Sequence, residues 1–323
     1  MHASTPSPSS APDRAEASGT GRAHAKSILI GEHAAVYGAP AVAIPVHGLR
    51  SHAHFDDGHE PWLRTPLYDG PVSGAPEALA PVITAWRHAA ERFGLAPGRR
   101  VLTVASAIPI QRGLGSSAAV AAAVIDAVAR EAGLDPHTST RHELIQRAET
   151  VAHGNPSGID AATVAADGPI LFQRGTATPI ATGAPLSFVI ADTGVQGSTA
   201  VAIGLVRSLR ESNPRHVDGA IARLTELATD VAARLEAGSA RETGDAMSEA
   251  HEILRSLGVS ADPVDTLVRA AGAAGALGAK LTGGGLGGCV IALSPTVDTT
   301  ELQLALRAAG AAATWTTTVE ARA

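Results

Sequence analysis

Aromatic residues are scarce in this chain, only 3% of its 323 positions, so a core has to be assembled from Ala, Val, Leu and Ile. A single cysteine, Cys289, excludes an internal disulfide framework and agrees with a reducing compartment. No run approaches the roughly 20 consecutive apolar residues that a membrane-spanning helix needs. The first residues also lack the charged and apolar regions of a secretory leader. With a formal net charge of −6, there is no general basic field to hold nucleic acid. Gly-Lys-Ser and Gly-Lys-Thr are both missing, and Lys26 follows Ala25, so a Walker-type phosphate loop is excluded. What is present, 45% hydrophobic and 17% charged residues, describes a globular cytoplasmic protein long enough for two domains.

Residues 1–21 are rich in Ser, Pro, Ala and Thr and have little to bury, which predicts a disordered tail. Order is expected from residue 22, with strands at 27–30, 41–46 and 50–55. A loop-rich stretch then leads to a helix over 76–93, set by the spacing of Leu79, Val82, Ile83, Trp86 and Ala90. A strand at 100–108 precedes a Gly/Ser turn that opens an Ala/Val-rich helix, and a second helix covers about 139–152. Strands at 169–174 and 186–191 follow, then a nearly all-helical stretch from 198 to 278. The chain closes with a strand, a glycine loop, a strand, a helix from 300 and a last strand near 314–319. Helices and strands interleave without a regular βαβ repeat, which favours α+β. A domain boundary is placed near residue 184, giving units 22–183 and 184–323.

Four segments could carry chemistry. Gly113-Leu114-Gly115-Ser116-Ser117 sits at a strand–loop–helix junction, where glycines admit close backbone approach and a helix start directs N–H groups at an anion. The plainer reading is a turn followed by a helix capped by Ser116 or Ser117. The loop also fits G-x-G-x-x-A, but the acidic residue expected after the next strand is missing, because Asp135 is followed by another helix. His153-Gly-Asn-Pro-Ser-Gly-Ile-Asp160 is a tight turn in which Ser157 could cap a helix and Asp160 falls in its first turn. Glu149 lies on the helix before it; with His153 it makes an i, i+4 pair, but the rest of a zinc pattern is absent. Lys26 is out of place in an apolar strand unless an anion accompanies it, and Glu32 and His33 stand at that strand's exit. Finally, Lys280-Leu-Thr-Gly-Gly-Gly-Leu-Gly-Gly-Cys289 has more glycine than a hairpin requires, including Gly284 and Gly285, and suggests backbone lying against a ligand or another loop.

Taken in order, Ala25 to Gly38, Gly113 to Ala118, His153 to Asp160 and the final glycine loop resemble the GHMP kinases. Within that superfamily Lys26, Ala34-Ala-Val-Tyr-Gly38 and His153–Asp160 are similar to the mevalonate kinase pattern. Galactokinases usually read Arg-x-Asn at the first motif, and phosphomevalonate kinases tend to carry Gly-Glu-Tyr. Pro109-Ile-Gln-Arg112 departs from the Pro-Pro-Gly-Ala of animal members, which points to a bacterial type; Arg112 there is compatible with anionic ligands.

The resemblance implies a two-domain fold. Its N-terminal domain is ribosomal protein S5 domain 2-like with a left-handed βαβ unit, and its C-terminal domain is ferredoxin-like. It implies ATP and Mg²⁺ as cofactors and mevalonate as the small-molecule substrate, with no nucleic acid or membrane partner; relatives suggest a homodimer. It also implies Asp160 as the group that accepts or orients the substrate proton, with Lys26 as its charge partner. Gly113, Leu114, Gly115, Ser116 and Ser117 would bind ATP, and Ser117 and Glu149 would hold the metal. Glu32, His33, Asp160 and Thr199 would contact the substrate, supported by Ser157, Gly284 and Gly285.

Overall fold

The computed structural model describes residues 19–96, 98–154 and 156–322. Residues 1–18, which make up most of the expected tail, lie outside this range. The first strand, β1 (Thr20–Ile30), begins two residues before the expected start of order. Its Gly21 makes this fit possible: a Cβ there would stand 1.9 Å from the Ala123 carbonyl oxygen, so strand and helix backbones meet directly.

β1 pairs antiparallel with β2 (Ala41–Asp57), with register shifts at His24/Ala25 and Ile28/Ile30. The two strands expected at 41–46 and 50–55 are one strand: pairing with β1 breaks in an irregularity at 47–49 and resumes at Arg50. Next comes a hairpin absent from the sequence reading, β3 (Trp62–Thr65) and β4 (Tyr68–Pro71). Then follow α1 (Ala80–Arg92) and β5 (Arg100–Ser106), which runs parallel to β3 and antiparallel to β2. Helices α2 (Ser116–Glu131), α3 (Thr138–His153) and α4 (Ile159–Ala165) precede β6 (Ile170–Gln173) and β7 (Thr176–Pro179). Together β1–β7 form one sheet ordered β4-β3-β5-β2-β6-β7, with β1 joined to β2.

After residue 179 the chain passes to a second sheet. β8 (Leu186–Asp192) is followed by α5 (Thr199–Ser212), α6 (Pro214–Glu236), α7 (Ala240–Ser256) and α8 (Asp262–Ala273). β9 (Gly278–Thr282), β10 (Cys289–Leu293), α9 (Thr300–Ala308) and β11 (Ala313–Val319) complete it. This antiparallel sheet is ordered β11-β8-β10-β9. No helix among the described residues is long and apolar enough to cross a membrane.

The core is aliphatic, as the shortage of aromatics requires. Ala118, Ala119, Ala121, Ala122 and Ala123 make α2 slim enough to lie against β1 and β2. The same apolar cluster continues into β8–β10, so the two sheets share one interior. Among the buried polar groups, Lys26, Ser27, Glu32, His33, Glu149, Lys280 and Thr282 stand out, since burying a charge is costly unless it is paired. They come from both halves of the chain and converge on one place.

Candidate active site

The site is assembled where β1 leaves its sheet. The backbone N–H of Lys26 donates to the Leu114 carbonyl at 3.0 Å, fixing strand and phosphate loop side by side. Gly115, at φ 69°, accepts this closeness: a Cβ there would sit 2.8 Å from Lys26 Cγ. Lys26, 3% exposed, has its Nζ 2.8 Å from Asp160 Oδ1, whose side chain is 34% exposed. Lys26 is therefore not an edge lysine reaching for solvent; its anionic company is Asp160, as its position in an apolar strand requires.

The two serines of the phosphate loop do not cap α2. Gly115 is the N-cap, in left-handed conformation and without a side-chain cap bond, and Ser116 and Ser117 occupy the first turn. Ser116 donates to the Ile108 carbonyl at 3.3 Å. The Ser117 hydroxyl lies near enough to the Glu149 carboxyl to favour its charged form. Helix α2 thus starts without a side-chain cap on its first N–H groups, the arrangement an anion needs. Ser157 is likewise no cap: α4 begins at Ile159 after Gly158 at φ 91°, and Ser157 Oγ accepts only a long 3.5 Å contact from the Ile159 N–H.

Glu149 is buried, and one of its oxygens, Oε1, has no partner among the described residues. Burial pushes its carboxyl above the ordinary carboxylate range, opposed by the nearby Ser117 hydroxyl and reinforced by the nearby Asp160. His153 Nε2 is 3.8 Å from Glu149 Oε2, and the described residues contain no group of three or more His, Cys, Asp or Glu able to hold a metal. A zinc-like centre is therefore absent among them. Two hard oxygen donors with a charge to neutralise fit Mg²⁺ instead, an ion that keeps most of its shell for waters and phosphate oxygens.

The glycine loop after β9 closes the site from the other sheet. Gly113 and Gly283 are in backbone contact; a Cβ on Gly283 would meet Gly113 Cα at 2.8 Å. A Cβ on Gly284 would meet Thr199 Oγ1 at 2.7 Å, and one on Gly285 the Val259 carbonyl oxygen at 2.0 Å. The glycines thus serve loop-on-loop packing, and they bring Thr199, at the start of α5, beside Gly284. His33, at φ 62°, donates from Nε2 to the Gly284 carbonyl at 2.9 Å. A carbonyl can only accept, so this bond places the proton on Nε2 and leaves Nδ1 as an acceptor in the neutral ring, which burial favours. Arg112 is anchored to the second sheet: Nε lies 2.8 Å from Asp192 Oδ1 and Nη2 donates to the Gly194 carbonyl at 3.2 Å, while Nη1 has no partner among the described residues.

Two family models match this chain. GHMP kinases N terminal domain matches residues 80–168, and GHMP kinases C terminal matches residues 231–312. A curated mevalonate kinase of Pyrococcus horikoshii is 35% identical over 313 residues, covering 89% of this chain and 92% of the relative. The chain belongs to the GHMP kinase family. A mevalonate kinase of Aeropyrum pernix is 32% identical, with 83% and 86% covered. Among solved structures, L. major mevalonate kinase in complex with R-mevalonate superposes with a TM-score of 0.82 at 24% identity, covering 94% of this chain and 96% of that one. A mevalonate kinase from methicillin-resistant Staphylococcus aureus gives 0.71 at 28% identity, covering 93% and 98%. The architecture is accordingly the two-domain α+β GHMP kinase fold.

Within this family frame, sequence reasoning missed several contributors. Lys280 and Thr282 were passed over because the glycines beside them dominated the motif. The signal was available: a lysine in the buried run Gly278–Thr282 is as anomalous as Lys26 in β1. The Arg112–Asp192 pair had no local signal, because its members are far apart in sequence and meet only across the two sheets.

Proposed function

We propose that this GHMP kinase is a mevalonate kinase, moving the γ-phosphoryl group of ATP to the primary hydroxyl of mevalonate to give ADP and 5-phosphomevalonate. The observation that carries the reading is the Lys26–Asp160 pair, 2.8 Å apart and set against the phosphate loop, in a chain whose curated relatives are mevalonate kinases.

Phosphoryl transfer asks the protein chiefly for positioning and charge neutralisation. The amides of Gly113–Gly115 and the start of α2 offer donors to phosphate oxygens, with Ser116 beside them. Asp160, a third exposed, is reachable by a substrate hydroxyl and serves to accept or orient its proton. Lys26 compensates the negative charge that gathers there. Ser117 and Glu149 are the residues that would hold Mg²⁺, which when bound neutralises the β- and γ-phosphate charge. Glu32, His33 and Thr199 face the acceptor end, and Gly284 and Gly285 hold the wall behind them. Ser157 is left with a supporting role in the turn before Asp160.

An ADP-release assay with mevalonate, phosphomevalonate, galactose and homoserine tests this directly. ADP formation is expected with mevalonate; none above background with mevalonate overturns the proposal.

A further inference from the structure

Lys280 is a completely buried lysine on β9, the strand that leads into the glycine loop of the site. Its ammonium donates to Glu32 Oε1 and to the Leu281 carbonyl, the latter at 2.6 Å. Glu32 is equally enclosed, and its other oxygen, Oε2, has no donor among the described residues. A buried acceptor left unpaired is costly and calls for a partner that arrives from elsewhere.

The neighbouring contacts hold this carboxylate in place. Lys280, Thr282 and Gly284 alternate along β9 and its exit, and each engages the β1 segment. Thr282 Oγ1 receives the Ile28 N–H at 3.0 Å and lies 2.9 Å from Ser27 Oγ, while Gly284 receives His33. Glu32 is thus pinned from the second sheet, not from its own. The charged and titratable groups facing the pair are Lys26 on β1, His33 beside it, and His251 on α7, which in turn meets Asp265 on α8 at 3.3 Å.

We propose that Lys280 is a positioning residue for the acceptor substrate: by occupying Glu32 Oε1 it fixes Oε2 as the acceptor for a substrate hydroxyl other than the one phosphorylated. The inference rests on the mevalonate reading, under which that group is the tertiary hydroxyl at C3. A carboxylate oxygen attracts a hydroxyl and repels the substrate's own carboxylate, so this point sorts the two ends of the molecule.

The test measures kcat/KM for mevalonate and for 3-deoxymevalonate (5-hydroxy-3-methylpentanoate) with wild type and Lys280→Met. Wild type is expected to prefer mevalonate by about 100-fold or more, because a site built around a hydroxyl rejects the analogue lacking it. Lys280→Met is expected to lose at least about tenfold of that preference through KM for mevalonate, with KM for ATP within about twofold of wild type. A merely structural lysine would lower both acceptors alike and leave the ratio unchanged, which overturns the proposal. If Lys280→Met does not fold, the double variant Glu32→Gln/Lys280→Met, which removes both charges, carries the same comparison. Wild type alone also decides: equal use of the two acceptors refutes this proposal while leaving the kinase reading intact. No ADP from mevalonate at all refutes the mevalonate reading, and this inference with it.

Discussion

At the scale of single residues, the site works because unlike environments were given to like groups. Asp160 keeps a third of its surface exposed, so it can meet substrate and can be rehydrated if its partner is lost. Asp160→Asn and Lys26→Met are therefore expected to fold, by circular dichroism, and to lose roughly a hundred- to ten-thousand-fold in kcat. Near-normal turnover by Asp160→Asn would remove it from the chemistry. Glu149 behaves differently, since burial raises its carboxyl above the ordinary range. A folded-state value above the unfolded one means the folded chain binds more protons, so this group subtracts stability as pH rises through that window. Glu149→Gln removes the slope: its Tm at pH 7 should equal or exceed that of wild type, while its Mg²⁺ requirement rises about tenfold or more. A lower Tm together with unchanged Mg²⁺ dependence would contradict both parts. Lys26, Glu149 and Asp160 were each legible as anomalies or motif members; that Ser117 stands near Glu149 came only with the family resemblance, because it depends on where α3 packs against α2.

Among the elements, packing is governed by places where backbones touch. Gly244 on α7 and Gly278 on β9 are in such contact, and a Cβ on Gly278 would fall 1.9 Å from the Gly244 carbonyl oxygen. Helix and strand cannot both stay in place around a methyl group. Gly278→Ala should cost about 1–3 kcal/mol, read as a fall in the denaturant midpoint, with a weaker KM for acceptor because Lys280 moves with β9. An unchanged midpoint would show that the contact yields freely. Long elements with a clear apolar period, such as α1 and α2, were readable from the sequence. Strand β7 was not: Thr176-Ala-Thr-Pro179 is exposed along its whole length, so no alternation marks it, and only pairing with β6 makes it a strand. The β3–β4 hairpin escaped for a related reason, four-residue strands being too short to display a period.

For the whole molecule the decisive feature is the junction of the two sheets. His47 lies in it: its N–H donates to Thr317 Oγ1 at 3.3 Å, and Gly48 next to it abuts the Thr316 carbonyl. Burial, helped by His24, Arg50 and Arg322, lowers the His47 imidazole to about 4. In the unfolded chain it would protonate near 6.5, so stability attributable to the neutral ring is present above that value and declines as pH falls toward 4. Tm should drop between pH 7 and pH 5, and His47→Gln should flatten this decline; an equal slope in the variant would exclude His47 as a cause. Ligand binding acts at the same scale, since the phosphate loop and the glycine loop belong to different sheets. At about 100 times its Kd, Mg·ATP should add about 2.7 kcal/mol and raise Tm by a few degrees, an increase that EDTA reduces.

The sequence by itself determined the local chemistry: which segments are strands with misplaced lysines, which loops are too rich in glycine to be mere turns, and which order of motifs belongs to GHMP kinases. These are properties of a few adjacent residues, and short-range rules read them. The motif order implied Lys26 with Asp160, and the structure brings them together; only the tertiary structure decided the pairings of Lys280 with Glu32 and Arg112 with Asp192, because each joins groups separated by many residues. It also decided that Ser116 and Ser117 lie in the first turn of α2 rather than capping it, and that Lys280 is held inside rather than reaching out. The physical reason is burial. The charge of a lysine is written in the sequence, but what that charge costs, and which carboxylate must meet it, depends on the surroundings that the fold alone supplies.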